Sequence, residues 1–159
     1  MAHRDGDGFI RCTCGLDHWG RHGAAGLLLV RLDTAEPRAL LQLRASWTHG
    51  GGTWALPGGA RDSHEDVRDA ALREAREEVG IDPTRVEIVH VFGDDHGNWR
   101  YDTVIATCNG DAGAYAANHE SSNVEWVPID DVGTYELHPG LAMNWDQLAA
   151  IVRRELSGN

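Results

Sequence analysis

Three glutamates carry the clearest chemistry in this chain. Glu74, Glu77 and Glu78 stand at i, i+3 and i+4 within residues 65–79, a stretch of Ala, Leu, Arg and Glu without Gly or Pro. That composition predicts a helix. At about 100° per residue, the spacing puts all three carboxylates within an arc of about 100° on one face. Without a partner the arrangement is unfavourable. Glu74 and Glu78 are like charges one turn apart, at a cost of about 0.2–0.5 kcal/mol, and they lie in the half of the helix where its dipole favours cations. A divalent cation removes both objections, and hard Mg2+ or Mn2+ prefers clustered carboxylate oxygens. Arg73, one turn before Glu77, can hold that carboxylate in place. An isolated E-x-x-E-E would ordinarily be a solvated acidic face, so its neighbours must decide.

Those neighbours supply a helix with defined ends. Ser63 with Asp66 three residues on predicts an N-terminal cap, and Gly80 a stop. Val67, Ala71 and Ala75 share a side that can face a core. Upstream, Trp54 to Gly59 (WALPGG) reads as a short strand ending in a Pro57-Gly58-Gly59 bend, where glycine lets the backbone approach a ligand closely. Taken together, residues 59–81 match G-x5-E-x7-R-E-U-x-E-E-x-G-U, with U aliphatic. Gly59, Glu65, Arg73, Glu74, Glu77, Glu78 and Gly80 fill every residue-specific position. Ile81 fits the last aliphatic site, and Ala75 is smaller than usual at the first. The chain closely resembles the Nudix hydrolase superfamily, through a motif of 23 of its 159 residues.

The resemblance implies an α+β fold, an α/β/α sandwich with a mixed β-sheet between helices and the motif as loop–helix–loop. It implies metal-dependent hydrolysis of a nucleoside diphosphate linked to another group. Mg2+, with Mn2+ as the alternative, would be held by Glu74, Glu77, Glu78 and the Gly58 carbonyl. Glu65 and Arg73 would brace the loop and orient the ligands, with Arg73 and Glu77 counted among the catalytic residues, while Gly59 would contact the substrate and Gly80 end the helix. Glu120, five residues before Glu125-Trp126, sits where MutT-like members carry the base that activates water or a further metal ligand, and His119 is its weaker substitute. The register of Arg44 relative to Pro57-Gly58-Gly59 is similar to that of a phosphate-contacting arginine in those members, against the alternative of a solvated strand arginine. The same spacings favour a MutT-like nucleoside triphosphate pyrophosphohydrolase, giving a monophosphate and pyrophosphate. Cleavage of ADP-ribose, nucleotide sugars or dinucleoside polyphosphates, or a non-catalytic ligand sensor, are the alternatives. Many members are dimers, so a homodimer is compatible with the chain.

The remaining sequence sets bounds. At 159 residues with 42% hydrophobic and 25% charged residues, it reads as one globular domain with a real core. A polar extension over residues 1–22 precedes a single domain over 23–159. The longest apolar run, GAAGLLLV from residue 23, is too short to span a bilayer. No apolar signal region is evident, and three cysteines suit a reducing compartment, so the expectation is cytoplasmic. A net charge of −11 argues against long nucleic acid, whose affinity comes from basic residues. It does not argue against a small nucleotide arriving with its metal.

Cys12, Cys14, His18 and His22 offer four conceivable zinc ligands. C-x-C is tighter than the usual zinc spacing and no second cysteine pair follows, so a loop packing Trp19 is preferred. Two apolar runs, 23–32 and 38–45, read as strands around a short connection, and 86–92 with 99–108 as a second hairpin around Gly93 to Gly97. Residues 46–53 (SWTHGGGT) read as a turn, with lining of the substrate pocket as a second reading. Trp99 or Tyr101 could stack on a base, though core packing is the commoner fate. Val124 to Val127 is a short strand, 129–132 a helical turn, and His138-Pro139-Gly140 a loop. A final amphipathic helix is expected over 144–156, capped by Asn144 with Gln147.

Overall fold

A computed structural model describes residues 4–48 and 51–157. His49 and Gly50, in the predicted glycine-rich turn, lie outside the described residues, as do residues 1–3, 158 and 159. In chain order the elements are β1 (Phe9–Arg11), β2 (Asp17–Trp19), β3 (Ala24–Arg31), β4 (Arg38–Arg44), β5 (Trp54–Ala55), β6 (Gly58–Ala60), α1 (Val67–Val79), β7 (Glu87–Asp95), β8 (Arg100–Cys108), β9 (Ser121–Pro128) and α2 (Pro139–Ser157), with single turns of 3-10 helix at Pro83–Arg85 and Ile129–Thr134.

The apolar run AAGLLLV forms β3, buried along its length. A strand covered on both faces loses the polar alternation of a half-exposed one. It pairs in parallel with β8 from Ala24↔Tyr101 to Arg31↔Cys108. On its other edge it meets β6 at one end and β4 at the other, both antiparallel. Beyond β4 lie β5 and β9, and beyond β8 lies β7, completing a seven-stranded mixed sheet. One face packs Leu27, Leu29, Leu40 and Val104 against Ala70, Ala71, Ala75 and Val79 of α1. The alanines let that helix sit close to the sheet. The opposite face packs Leu28, Val30, Leu41 and Ile105 against Trp145, Leu148, Ile151 and Val152 of α2. This is the expected α+β sandwich, a mixed sheet between helices. No helix among the described residues is long and apolar enough to cross a membrane.

Several local expectations need correction. Helix α1 starts at Val67 rather than residue 65, with Asp66 as its cap accepting the Arg68 N–H at 2.8 Å. Ser63 instead bonds Asp5, and the Glu65 carboxylate turns back to accept the Asp62 N–H at 3.0 Å. Helix α2 begins five residues before Asn144. Pro139 suits a first helical position, where no N–H is needed, and His138 Nδ1 accepts the Gly140 N–H at 3.2 Å. The His138-Pro139-Gly140 stretch is therefore the helix entry, and Asn144 donates from within the helix to Asp94 Oδ2 at 2.9 Å. Strand β7 runs on through Gly93 to Asp95, moving its turn to residues 96–99.

Candidate active site

Glycines allow three chain segments to converge. A Cβ on Gly26 would collide with the Tyr101 hydroxyl, and one on Gly58 would lie 2.6 Å from the Ala25 carbonyl oxygen. Leu27 N–H donates to Pro57 O at 2.9 Å, so the adjacent Gly26–Gly58 pair is a non-hydrogen-bonded one. Both polar groups of Gly58 are thereby left off the ladder, and its N–H donates to Glu78 Oε2 at 2.8 Å. A Cβ on Gly59 would stand 2.7 Å from the carboxyl carbon of Glu74. Only glycine there lets α1 bring that carboxylate against the bend. Gly80 closes the helix in the left-handed region at φ 69°, donating to Arg76 O at 3.1 Å.

Arg73 organises the near end of the site. Its Nε and Nη2 grip the two oxygens of Glu65 at 2.7 and 2.8 Å, and Nη2 also reaches the Ala60 carbonyl at 3.0 Å. Nη1 donates to Glu74 Oε1 at 2.8 Å and lies 3.5 Å from Glu77 Oε2. A planar guanidinium can serve several acceptors in fixed directions at once. The arginine holds the Glu65 carboxyl below the usual range, and Glu65 in turn raises the Arg73 guanidinium. One side chain thus ties loop, bend and two of the three helix glutamates together.

The glutamates differ sharply in environment. Glu78 is 4% exposed, with Gly58 N–H and Gln42 Nε2 on Oε2, the latter at 3.2 Å. Burial, then the Glu74 charge, pushes its carboxyl up to about 8, against the opposing pull of the Gly58 N–H. Burial pushes Glu74 up to about 7, with Arg73 opposing and Glu77 and Glu120 adding to the rise. Glu77 is more open, and Arg4 Nη2 sits 2.7 Å from its Oε1. Glu120 is exposed, its backbone carbonyl accepting Ala45 N–H at 3.0 Å. Its charge is felt at both buried glutamates. Arg44, at the end of β4 opposite Ser121, reaches the same region, since its charge acts on the buried Tyr101 hydroxyl.

This donor set fits a hard divalent cation. Two carboxyls, Glu78 buried and Glu74 largely so, raised by lack of solvent and by neighbouring negative charge, are what a nearby cation would ionise. Gln42 Oε1 is buried beside Glu78 with no hydrogen-bond partner, an acceptor in want of a donor. Among the described residues, no three of these carboxylates bring an oxygen each within 4.8 Å of one another. Glu74, Glu77 and Glu78 share a helix face without converging on a point. The contact seen at Gly58 is made by its amide, to Glu78.

Sequence reasoning missed four participants. Arg4 reaches Glu77 and, at 3.4 Å, Asp62, and buried Asp62 accepts the Gly6 N–H at 3.0 Å. No local pattern links residues separated by nearly sixty positions or more. Gln42 was hidden within an apolar strand, though a lone amide among leucines is itself a signal. Trp47, exposed, stacks on His119 with centroids 5.3 Å apart. Of the two aromatics considered for base stacking, Tyr101 is half-buried with its hydroxyl tucked against Gly26 and Gly58, and Trp99 stacks on His18 at 4.0 Å.

Comparison with known proteins gives a consistent result. The family model described as "NUDIX domain" matches residues 20–148. A Mycobacterium tuberculosis protein named "Putative 8-oxo-dGTP diphosphatase 3" is 45% identical, over 91% of this chain and 69% of its own. A Bifidobacterium longum protein named as a nucleoside triphosphate pyrophosphatase/Nudix hydrolase fusion is 40% identical, over 94% of this chain and 32% of its own. The crystal structure of the M. smegmatis Nudix hydrolase RenU superposes with a TM-score of 0.86 at 40% identity, covering 94% of this chain and 96% of that one. With the motif complete and its helix, bend and bracing arginine assembled in this geometry, the chain belongs to the Nudix hydrolase family.

Proposed function

We propose that this Nudix hydrolase is a MutT-like nucleoside triphosphate pyrophosphohydrolase, releasing a nucleoside monophosphate and pyrophosphate. The observation that carries this reading is the pair of desolvated carboxyls, Glu78 buried and Glu74 largely so, packed against the Gly58-Gly59 bend within reach of the Glu120 charge. Glu74, Glu77 and Glu78, with the Gly58 carbonyl, would hold Mg2+ or Mn2+. Such an ion supplies charge neutralisation on phosphate oxygens and a more acidic bound water.

The chain's own residues supply the rest. Arg73 fixes Glu74 and Glu65 so that the acidic face does not reorganise during reaction. Gly59 keeps the approach to Glu74 open. Arg44, at the end of β4, would pair with a phosphate. Glu120 takes the proton of the attacking water as its oxygen bonds to phosphorus and the bridging P–O bond breaks, with the electron pair leaving on the departing phosphate oxygen. Trp47 on His119, next to Glu120, offers an exposed aromatic face on which a base could stack. The name of the mycobacterial relative supports a triphosphate substrate and puts 8-oxo-dGTP first among candidates.

The test is release of monophosphate and pyrophosphate with Mg2+ or Mn2+, across canonical and oxidised dNTPs, ADP-ribose, nucleotide sugars and dinucleoside polyphosphates. Turnover of one triphosphate at a kcat/KM at least about tenfold above the rest, a gap of about 1.4 kcal/mol in transition-state binding, is the expected result. Preference for a linked dinucleotide or sugar would overturn the substrate class. Silence across the panel with metal bound would overturn catalysis.

A further inference from the structure

The turn of the N-terminal hairpin carries a second set of metal-binding groups, chemically unlike the first. We propose that Cys12, Cys14 and His18 form a site for Zn2+ or another thiolate-preferring ion. It is separate from the carboxylate site and independent of the substrate reading.

One ligand atom from each of the three residues lies within 4.8 Å of the other two, the only such group among the described residues. Cys14 Sγ is 3.1 Å from His18 Nε2. The C-x-C spacing, too tight for the usual zinc loops, works here because the third ligand comes from the opposite strand. The Cys12 N–H donates to Leu16 O at 2.9 Å, and the Gly15 N–H to Cys12 O at 3.0 Å. With Gly15 at φ 95°, a conformation glycine adopts without strain, the turn folds both sulfurs toward β2. His18 stands on β2 opposite Ile10. The Cys14 N–H lies 3.4 Å from Cys12 Sγ, and amide donors aimed at sulfur favour a thiolate.

The imidazole is held before any metal arrives. Trp99 stacks on the His18 ring at 4.0 Å and 8° between planes, and His96 packs edge-on at 4.9 Å. Asn98 clamps the turn itself, accepting the Thr13 N–H at 2.7 Å and donating to Arg11 O at 2.9 Å. His22, the fourth candidate from sequence, is not part of the group; its Nε2 is 3.8 Å from Asp5 Oδ2. Two sulfurs and one imidazole select zinc-like ions over Mg2+, which prefers oxygen. Three protein ligands leave a fourth position for water.

The experiment uses the full chain, reduced and stripped of metal, titrated with Co2+ and Zn2+ in excess Mg2+ so that carboxylates are occupied. Expected are one Zn2+ bound per chain and, with Co2+, a sulfur-to-metal charge-transfer band with strong tetrahedral absorption. In Cys14→Ser and His18→Ala the Zn2+ affinity should fall at least about tenfold, the lower bound for disturbing even a supporting residue of a metal site. Cys14→Ser should also weaken the sulfur band, whereas Cys108→Ser, in the core, should keep both. A cobalt spectrum without sulfur bands, or equal Zn2+ binding by wild type and Cys14→Ser, would overturn the proposal. Mg2+-dependent turnover by Cys14→Ser then shows separately whether the hydrolase reading stands.

Discussion

Raising the pH should destabilise the metal-free protein, against the usual behaviour of carboxylates. Glu74 is held up at about 7, chiefly by burial, where an exposed glutamate titrates at 4.5. Between those values the folded state keeps a proton that the unfolded chain has released. The folded state therefore binds more protons, and stability falls as pH rises. The loss begins above about 4.5 and is complete for Glu74 once pH passes 7. Glu78, raised to about 8 by burial, extends it in the same direction. For Glu74, whose side chain is 14% exposed, the interval at about 1.4 kcal/mol per pH unit gives an upper bound of about 3.5 kcal/mol. For a chain this size that is at most about 7–14 °C in Tm. Carboxyls held low, such as Asp33 at about 2 beside Arg31 and Glu65 beside Arg73, stay ionised throughout this window in the folded state. Their stabilisation is lost only at more acid pH. His18, lowered by burial and by His96, contributes the opposite slope near and below 6.5. Comparison with variants cancels it. Thermal melts from pH 5.5 to 8.5 in chelator should show wild type losing several degrees relative to Glu74→Gln and Glu78→Gln. Millimolar Mg2+ should restore wild type more at pH 8.5 than at 5.5, because its ligands must be deprotonated. A wild-type-minus-variant difference that does not change with pH would refute the reasoning.

The open end of the site gives two further expectations. Glu77→Gln should abolish Mg2+-dependent turnover while moving stability by only about 0.5 kcal/mol, as for most exposed positions, since the side chain is 38% exposed. Turnover within a few-fold of wild type would remove Glu77 from the proposed ligand set. Glu120→Gln should lower kcat by about 10²–10⁴, the range for a lost general base, with KM little changed and the fall shallower at high pH. A rise in KM for metal alone would instead make Glu120 a ligand.

The parts of this fold legible in sequence were those with a short period. The run AAGLLLV announced a buried strand, the REAREEVGI segment a helix with its acidic face, and Gly80 its stop. Parallel pairing of β3 with β8 was not legible, because it joins segments nearly eighty residues apart and leaves no local trace. The start of α2 was misplaced because Asn144 and Gln147 match a capping pattern that Pro139 and His138 pre-empt. Within the site, bracing roles for Glu65 and Arg73 followed from the motif, whereas their pairing with each other required the structure. The Arg4 contact to Glu77 and the Gln42 contact to Glu78 required tertiary structure. So did the hairpin over residues 9–19, where a C-x-C spacing discouraging in one dimension brings its sulfurs to a histidine across the turn.

The distribution of charge explains why the acidic face is braced rather than neutralised. Arg73 is committed to Glu65 and Glu74, and Arg4 to Glu77 and Asp62. Among the described residues Glu78, the most buried of the three, accepts from the Gly58 amide N–H and the Gln42 side-chain amide. A fold selected for stability alone would place a neutral residue there, since burying an uncompensated carboxylate is costly. Arg73 sits at the edge of the cluster, so it fixes the positions of the carboxylates without cancelling the charge at their centre. Under the proposed function, that leaves the favourable Coulomb energy to be realised only when a cation and a polyphosphate enter together. A chain with net charge −11 would repel a polyphosphate without the cation and accept it with one, so the same electrostatics that weaken the metal-free fold would make metal a condition of substrate binding.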